Sequence, residues 1–103
     1  MGYQSGFLTQ NLSTLSLGSE TLVPTFDEDV TEYTAEITDE TTSVTATAET
    51  TGATVTLILN GDVVDSGTTT VTESIEWTEN TDILEIKVTY NSSVKTYKVT
   101  VTH

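Results

Sequence analysis

The chain has 103 residues, enough for one domain with a real core and too few for two. Its 16 acidic residues face three lysines and no arginine, and the net charge of −13 repels nucleic-acid phosphate and anionic membrane. With no cysteine, a disulfide, a thiolate zinc site and a cysteine nucleophile are all excluded.

Threonine makes up about a quarter of the chain, and valine and isoleucine add to it. These β-branched side chains lose rotamer freedom in helices and suit the pleated surface of a strand. No apolar run approaches the roughly 18 residues of a membrane span. The opening stretch "MGYQSGFLTQ" lacks the basic and apolar regions of a secretory signal. Myristoylation at Gly2 wants Ser or Thr at the sixth position, where Gly6 stands, so no lipid anchor is expected.

Along the chain the apolar residues recur with a period of two, and no helical period emerges. "LSTLSL" is a first short strand. Leu22, Pro24 and Phe26 then carry the chain across an edge to the acidic triplet Asp27, Glu28 and Asp29. Tyr33, Ala35 and Ile37 share one face of the next strand, and Val44, Ala46 and Ala48 share one face of the third. "TVTLIL" ends in Asn60-Gly61, a hairpin signal because these residues accept the positive φ of a tight turn. A short strand at "VVDS" and a turn at Gly67 follow. Val71, Ile75 and Trp77 then point one way, as do Leu84, Ile86, Val88 and Tyr90 in the next strand. After the turn "NSS", Tyr97, Val99 and Val101 point inward.

Seven or eight short strands at regular spacing predict an all-β fold, an antiparallel immunoglobulin-like β-sandwich of about seven strands. A small closed barrel is the competing arrangement. Residues 1–11 form a separate N-terminal arm, and residues 12–103 the sandwich.

The stretch "LSTLSLGSETLVPTFDEDVTEYTAEI" resembles the opening of the bacterial cadherin-like β-sandwich family, within the wider immunoglobulin-like group. Leu12, Leu15, Leu17, Gly18, Leu22, Pro24, Phe26 and Tyr33 fall on its pattern of paired leucines, small-residue turn, Leu-x-Pro-x-Phe and strand-opening tyrosine. "LNGDVVDSG" and "KTYKVTV" are similar to later parts of it. "TENTD" stands where the family often has a Gly-x-Asn turn. Such domains occur in bacterial surface proteins, often in tandem, and related domains occur on phage particles. The resemblance therefore implies a structural or interaction role.

Candidate chemistry is sparse. Asp27 and Asp29 are weak candidates for calcium, which needs about six to eight oxygens converging from several segments. Neighbouring side chains in an extended segment point apart, so a solvated corner fits the triplet better, and no cofactor is expected. No acid pair stands out for general acid/base work, and the single histidine, His103, is the last residue. The chain reads as a non-enzyme. Trp77 reads as core, which argues against an exposed aromatic platform for sugars. A lysine–asparagine isopeptide bond needs a buried lysine beside an amide and an acid. Lys87 and Lys98 face outward and Lys95 opens a strand, so no such bond is expected. Asn11-Leu12-Ser13 and Asn91-Ser92-Ser93 have the glycosylation pattern, but without a secretion signal they read as incidental.

The arm carries Tyr3, Phe7 and Leu8 among small residues. It can dock into a protein partner through aromatic anchors or strand addition, or fold back on its own sandwich as an edge strand. The leading expectation is a decoration protein on a virion surface, anchored by this arm to a capsid or tail shell. Weak contact with host-surface glycans, and none with nucleic acid or membrane, goes with that reading. The alternative is a spacer or adhesion repeat from a bacterial cell-surface protein. A carbohydrate-binding module ranks third.

Overall fold

A computed structural model describes residues 11–18 and 20–103. Among the described residues eight strands follow one another: β1 (Leu12–Leu17), β2 (Glu32–Glu36), β3 (Thr41–Ala48), β4 (Thr54–Leu59), β5 (Asp62–Thr68), β6 (Thr70–Glu76), β7 (Thr81–Tyr90) and β8 (Ser93–Thr102). A three-stranded sheet runs β1-β3-β6, and a five-stranded sheet runs β2-β8-β7-β4-β5. The two sheets make the expected immunoglobulin-like sandwich. The pairings among these strands are antiparallel except one, in which β2 lies parallel to β8 from Glu32 beside Lys98 to Glu36 beside Thr102.

The core follows from the period-two pattern. Leu57, Leu84, Ile86, Val88, Tyr97, Val99 and Val101 are fully buried on the five-stranded side, and Leu12, Leu17, Val44 and Ala46 face them from the other sheet. Burial of this apolar surface is the main force holding the sheets together, at roughly 25 cal/mol per Å². β1 departs from strict alternation, because a register shift between Leu12 and Thr14 allows both Leu12 and Leu15 to point inward. Trp77 is core, 6 % exposed, and its indole Nε1 donates to the Thr42 hydroxyl at 2.9 Å.

The turns have identifiable causes. Asn60 (φ 52°) and Gly61 (φ 91°) join β4 to β5 as a tight hairpin. The Asn60 side chain donates to Asp82 at 2.6 Å and accepts from the Ile83 amide at 2.8 Å, which fastens the hairpin tip to β7. Gly67, expected at a turn, instead lies inside β5. Its glycine is required by space: a Cβ there collides with the backbone carbonyl of Thr70. The change of sheet happens at Thr69, whose amide donates to the Ala53 carbonyl and whose carbonyl accepts from the Ala48 amide, both at 2.6 Å.

The register gives the sandwich two poles. Asn11, Glu49, Thr69 and the β7–β8 turn share one, while Gly18, Trp77, the β4–β5 turn and His103 share the other. The described chain therefore enters at one pole and leaves at the other. Between β1 and β2 it returns through Leu22, which is buried, and a cis Val23–Pro24 bond. Val23 pairs with Thr34 through two backbone hydrogen bonds of 2.8 and 2.9 Å.

Candidate functional site

A hydrogen-bonded group of polar side chains sits at the pole of the acidic triplet, over a set of aromatic rings. Phe26 stacks on Tyr33 with centroids 5.9 Å apart and meets Tyr97 at 6.2 Å. Both tyrosines are buried to their hydroxyls, and a buried hydroxyl needs partners. The backbone of the acidic segment supplies them. The Tyr33 hydroxyl donates to the Asp27 carbonyl at 2.6 Å and accepts from the Asp27 amide at 3.0 Å. The Tyr97 hydroxyl donates to the Glu28 carbonyl at 2.7 Å and accepts from the Leu12 amide at 3.1 Å. Burial raises the Tyr33 phenol above its ordinary value of 10.0, the Asp27 amide opposing it. Burial likewise raises Tyr97, opposed by the Leu12 amide and reinforced by the negative charge of Glu28, Asp29 and Glu49.

Above these rings lie a lysine, an amide and a carboxylate. The Lys95 ammonium donates to Asn11 Oδ1 at 2.7 Å and to the Glu28 carbonyl at 2.9 Å, 5.2 Å from the centre of the Tyr97 ring. The other end of the Asn11 amide donates from Nδ2 to Glu28 Oε2 at 3.0 Å. All three side chains are half-buried. The chain thus ties together the start of β1, the corner and the start of β8. A shallow depression of about 330 Å³ beside them is lined by Leu12, Ser13, Phe26, Asp27, Glu28 and Glu49.

The residues expected to bear function fall out as follows. Tyr3, Phe7 and Leu8 lie outside the described residues. Asp27 and Asp29 are exposed, and Asp27 Oδ1 accepts from the Asp29 amide at 2.9 Å, an Asx turn within the triplet. Glu28 turns away from both toward Asn11. Among the described residues no three Asp, Glu or His side chains are placed to hold a metal ion. Sequence reasoning missed the grouping of Asn11, Glu28 and Lys95. One signal for it was available, because Lys95 has the same parity as Tyr97, Val99 and Val101 and so shares their inward side.

The order of the two sheets, joined at one pole through Asn11, Glu28 and Lys95, defines an immunoglobulin-like domain. The chain belongs to the cadherin-like β-sandwich domain family, whose model matches residues 11–103. Neither a curated protein nor a solved structure matches it. Membership makes the chain a structural or interaction module.

Proposed function

We propose that the domain is a non-enzymatic module displayed on a particle surface, a virion decoration protein attached to a capsid or tail shell through its N-terminal arm. The observation that carries this reading is the fastening of Asn11. The residue that connects residues 1–10 to the sandwich is held by Glu28 and Lys95, so a pull on the arm is delivered to both sheets. An arm bearing Tyr3, Phe7 and Leu8 supplies the aromatic and apolar anchors that fill pockets in a protein partner. The opposite pole points away from the attachment, and the charge of −13 keeps a densely displayed surface soluble. The partner is a protein shell rather than nucleic acid or membrane, which offer such a surface no counter-charge. Contact with host glycans on this reading is polar, since Trp77, Tyr33 and Tyr97 are all spent in the core.

The test is attachment. A chain lacking residues 1–10 is expected to fold cooperatively and to lose binding to particles. Retained binding contradicts arm-mediated anchoring, and lost folding makes the arm part of the sandwich.

A second reading is favoured by the separation of the two ends. β8 alone, at about 3.3 Å per residue, spans roughly 30 Å from pole to pole. That arrangement suits a spacer or adhesion repeat in a bacterial cell-surface protein. Antibody detection on cell walls rather than on particles selects it.

A further inference from the structure

The Lys95–Asn11–Glu28 group is over-determined for a simple surface contact. An amine, a carboxamide and a carboxylate stand in that order, with each end of the amide engaged by a different partner. Lys95 is positioned three ways: by Asn11 Oδ1, by the Glu28 carbonyl and by the Tyr97 ring. The carbonyl bond being about 1.2 Å long, the Lys95 nitrogen lies no more than roughly 3.9 Å from the Asn11 amide carbon. Reacting atoms in a near-attack pair stand about 3–3.5 Å apart, so a small shift of the Lys95 side chain closes the remaining distance.

We propose that Lys95 and Asn11 form an intramolecular isopeptide bond, with Glu28 carrying the proton. The Lys95 ammonium first gives one proton to solvent, and the lone pair of the resulting neutral amine attacks the Asn11 amide carbon and forms a new C–N bond. The proton it sheds on attack passes by way of solvent to the Glu28 carboxylate, which lies on the Nδ2 side of the amide. Glu28 Oε2 already lies 3.0 Å from Asn11 Nδ2, the nitrogen that must leave, and delivers the proton there. The bond from the amide carbon to Nδ2 breaks and ammonia departs. One amine and one primary amide become one secondary amide and one ammonia, with no oxidant, reductant or activating co-reactant.

Amide aminolysis is slow between free molecules. Groups held in attacking geometry reach effective molarities on the order of 10⁵–10⁸ M, and a protein that reacts only once needs no turnover. Loss of ammonia to solvent makes the step irreversible in practice.

The consequence is mechanical. Asn11 precedes β1 in one sheet and Lys95 lies in β8 of the other, 84 residues away. A bond between them lets tension applied to the two ends pass through residues 11, 95 and 103, bypassing the strands between. This inference holds whether the domain decorates a virion or spaces a cell-surface protein.

The test is the intact mass of the purified full-length chain, followed by fragmentation. The expected result is a protein lighter than its sequence by one ammonia, yielding a branched peptide that joins Asn11 to Lys95. Lys95→Arg and Asn11→Ala are expected to keep the full mass. Glu28→Gln, which preserves a hydrogen-bonding side chain but cannot take up a proton and hand it on, is expected to convert at least tenfold more slowly. A folded wild-type chain that stays at full mass through prolonged incubation overturns the proposal. So does an ammonia loss that fragmentation places elsewhere, for example at Asn60, which precedes Gly61. Unchanged conversion in Glu28→Gln removes Glu28 from the reaction.

Discussion

The Tyr97 hydroxyl donates to the Glu28 carbonyl at 2.7 Å, joining β8 to the acidic corner across 69 residues of chain. The same oxygen accepts from the Leu12 amide at 3.1 Å, in a buried position. Tyr97→Phe keeps the ring and deletes both bonds, and it leaves the Leu12 N–H buried without a partner. The expected cost is about 1–3 kcal/mol, read as a lower urea midpoint with an unchanged slope. Tyr33→Phe is expected to cost less, because its partner Asp27 is exposed and water can replace the hydroxyl.

A second prediction concerns Gly67. An added methyl meets the Thr70 carbonyl, and backbone cannot swing aside as a flexible side chain does. Gly67→Ala is expected to destabilise by about 1–3 kcal/mol in chemical denaturation. Val63→Ala, in the same strand but 65 % exposed, is expected to stay within about 0.5 kcal/mol of wild type. Equal effects at the two sites contradict the close approach.

The contrast between Gly67 and its neighbours marks where the sequence was legible. Alternation of β-branched and polar residues disclosed the strands, because burial on one face of a sheet writes a period of two into the chain. Asn60-Gly61 disclosed its own hairpin, since the φ requirement is local. Gly67 was read as a turn because a glycine forced by space looks the same in sequence as one forced by φ. The parallel pairing of β2 with β8 has no local signature at all. Lys95 and Asn11 meet only because two terminal strands on different sheets arrive at one pole, and no short-range pattern encodes that meeting.

Alkaline pH provides a third test. Tyr33 and Tyr97 both hold their protons more tightly in the folded state, because burial raises each above 10.0. The folded chain then binds more protons than the unfolded chain once the pH passes that value. Stability is expected to be insensitive to these groups below pH 10.0 and to fall as the pH rises above it. The denaturation midpoint followed with tyrosinate absorbance checks this. The Tyr33→Phe, Tyr97→Phe double variant is expected to show a shallower decline.

A fourth prediction addresses calcium. The Asp27 carboxylate already accepts from the Asp29 amide, and Glu28 faces Asn11. The melting temperature is therefore expected to be the same in calcium and in chelator, for wild type and for Asp27→Asn with Asp29→Asn. A specific ion at about 100 times its dissociation constant adds roughly 2.7 kcal/mol, an effect too large to miss. A calcium-dependent rise confined to the wild type contradicts the reading of the triplet as a hydrogen-bonded corner.

The central claim is display on a particle, and fractionation of the native source tests it most directly. Virus particles banded on a density gradient, probed with an antibody to the sandwich and by mass spectrometry, are expected to carry the chain in stoichiometric amount on their surface. A chain found only on cell walls selects the spacer reading, and one found only among soluble proteins contradicts surface display altogether.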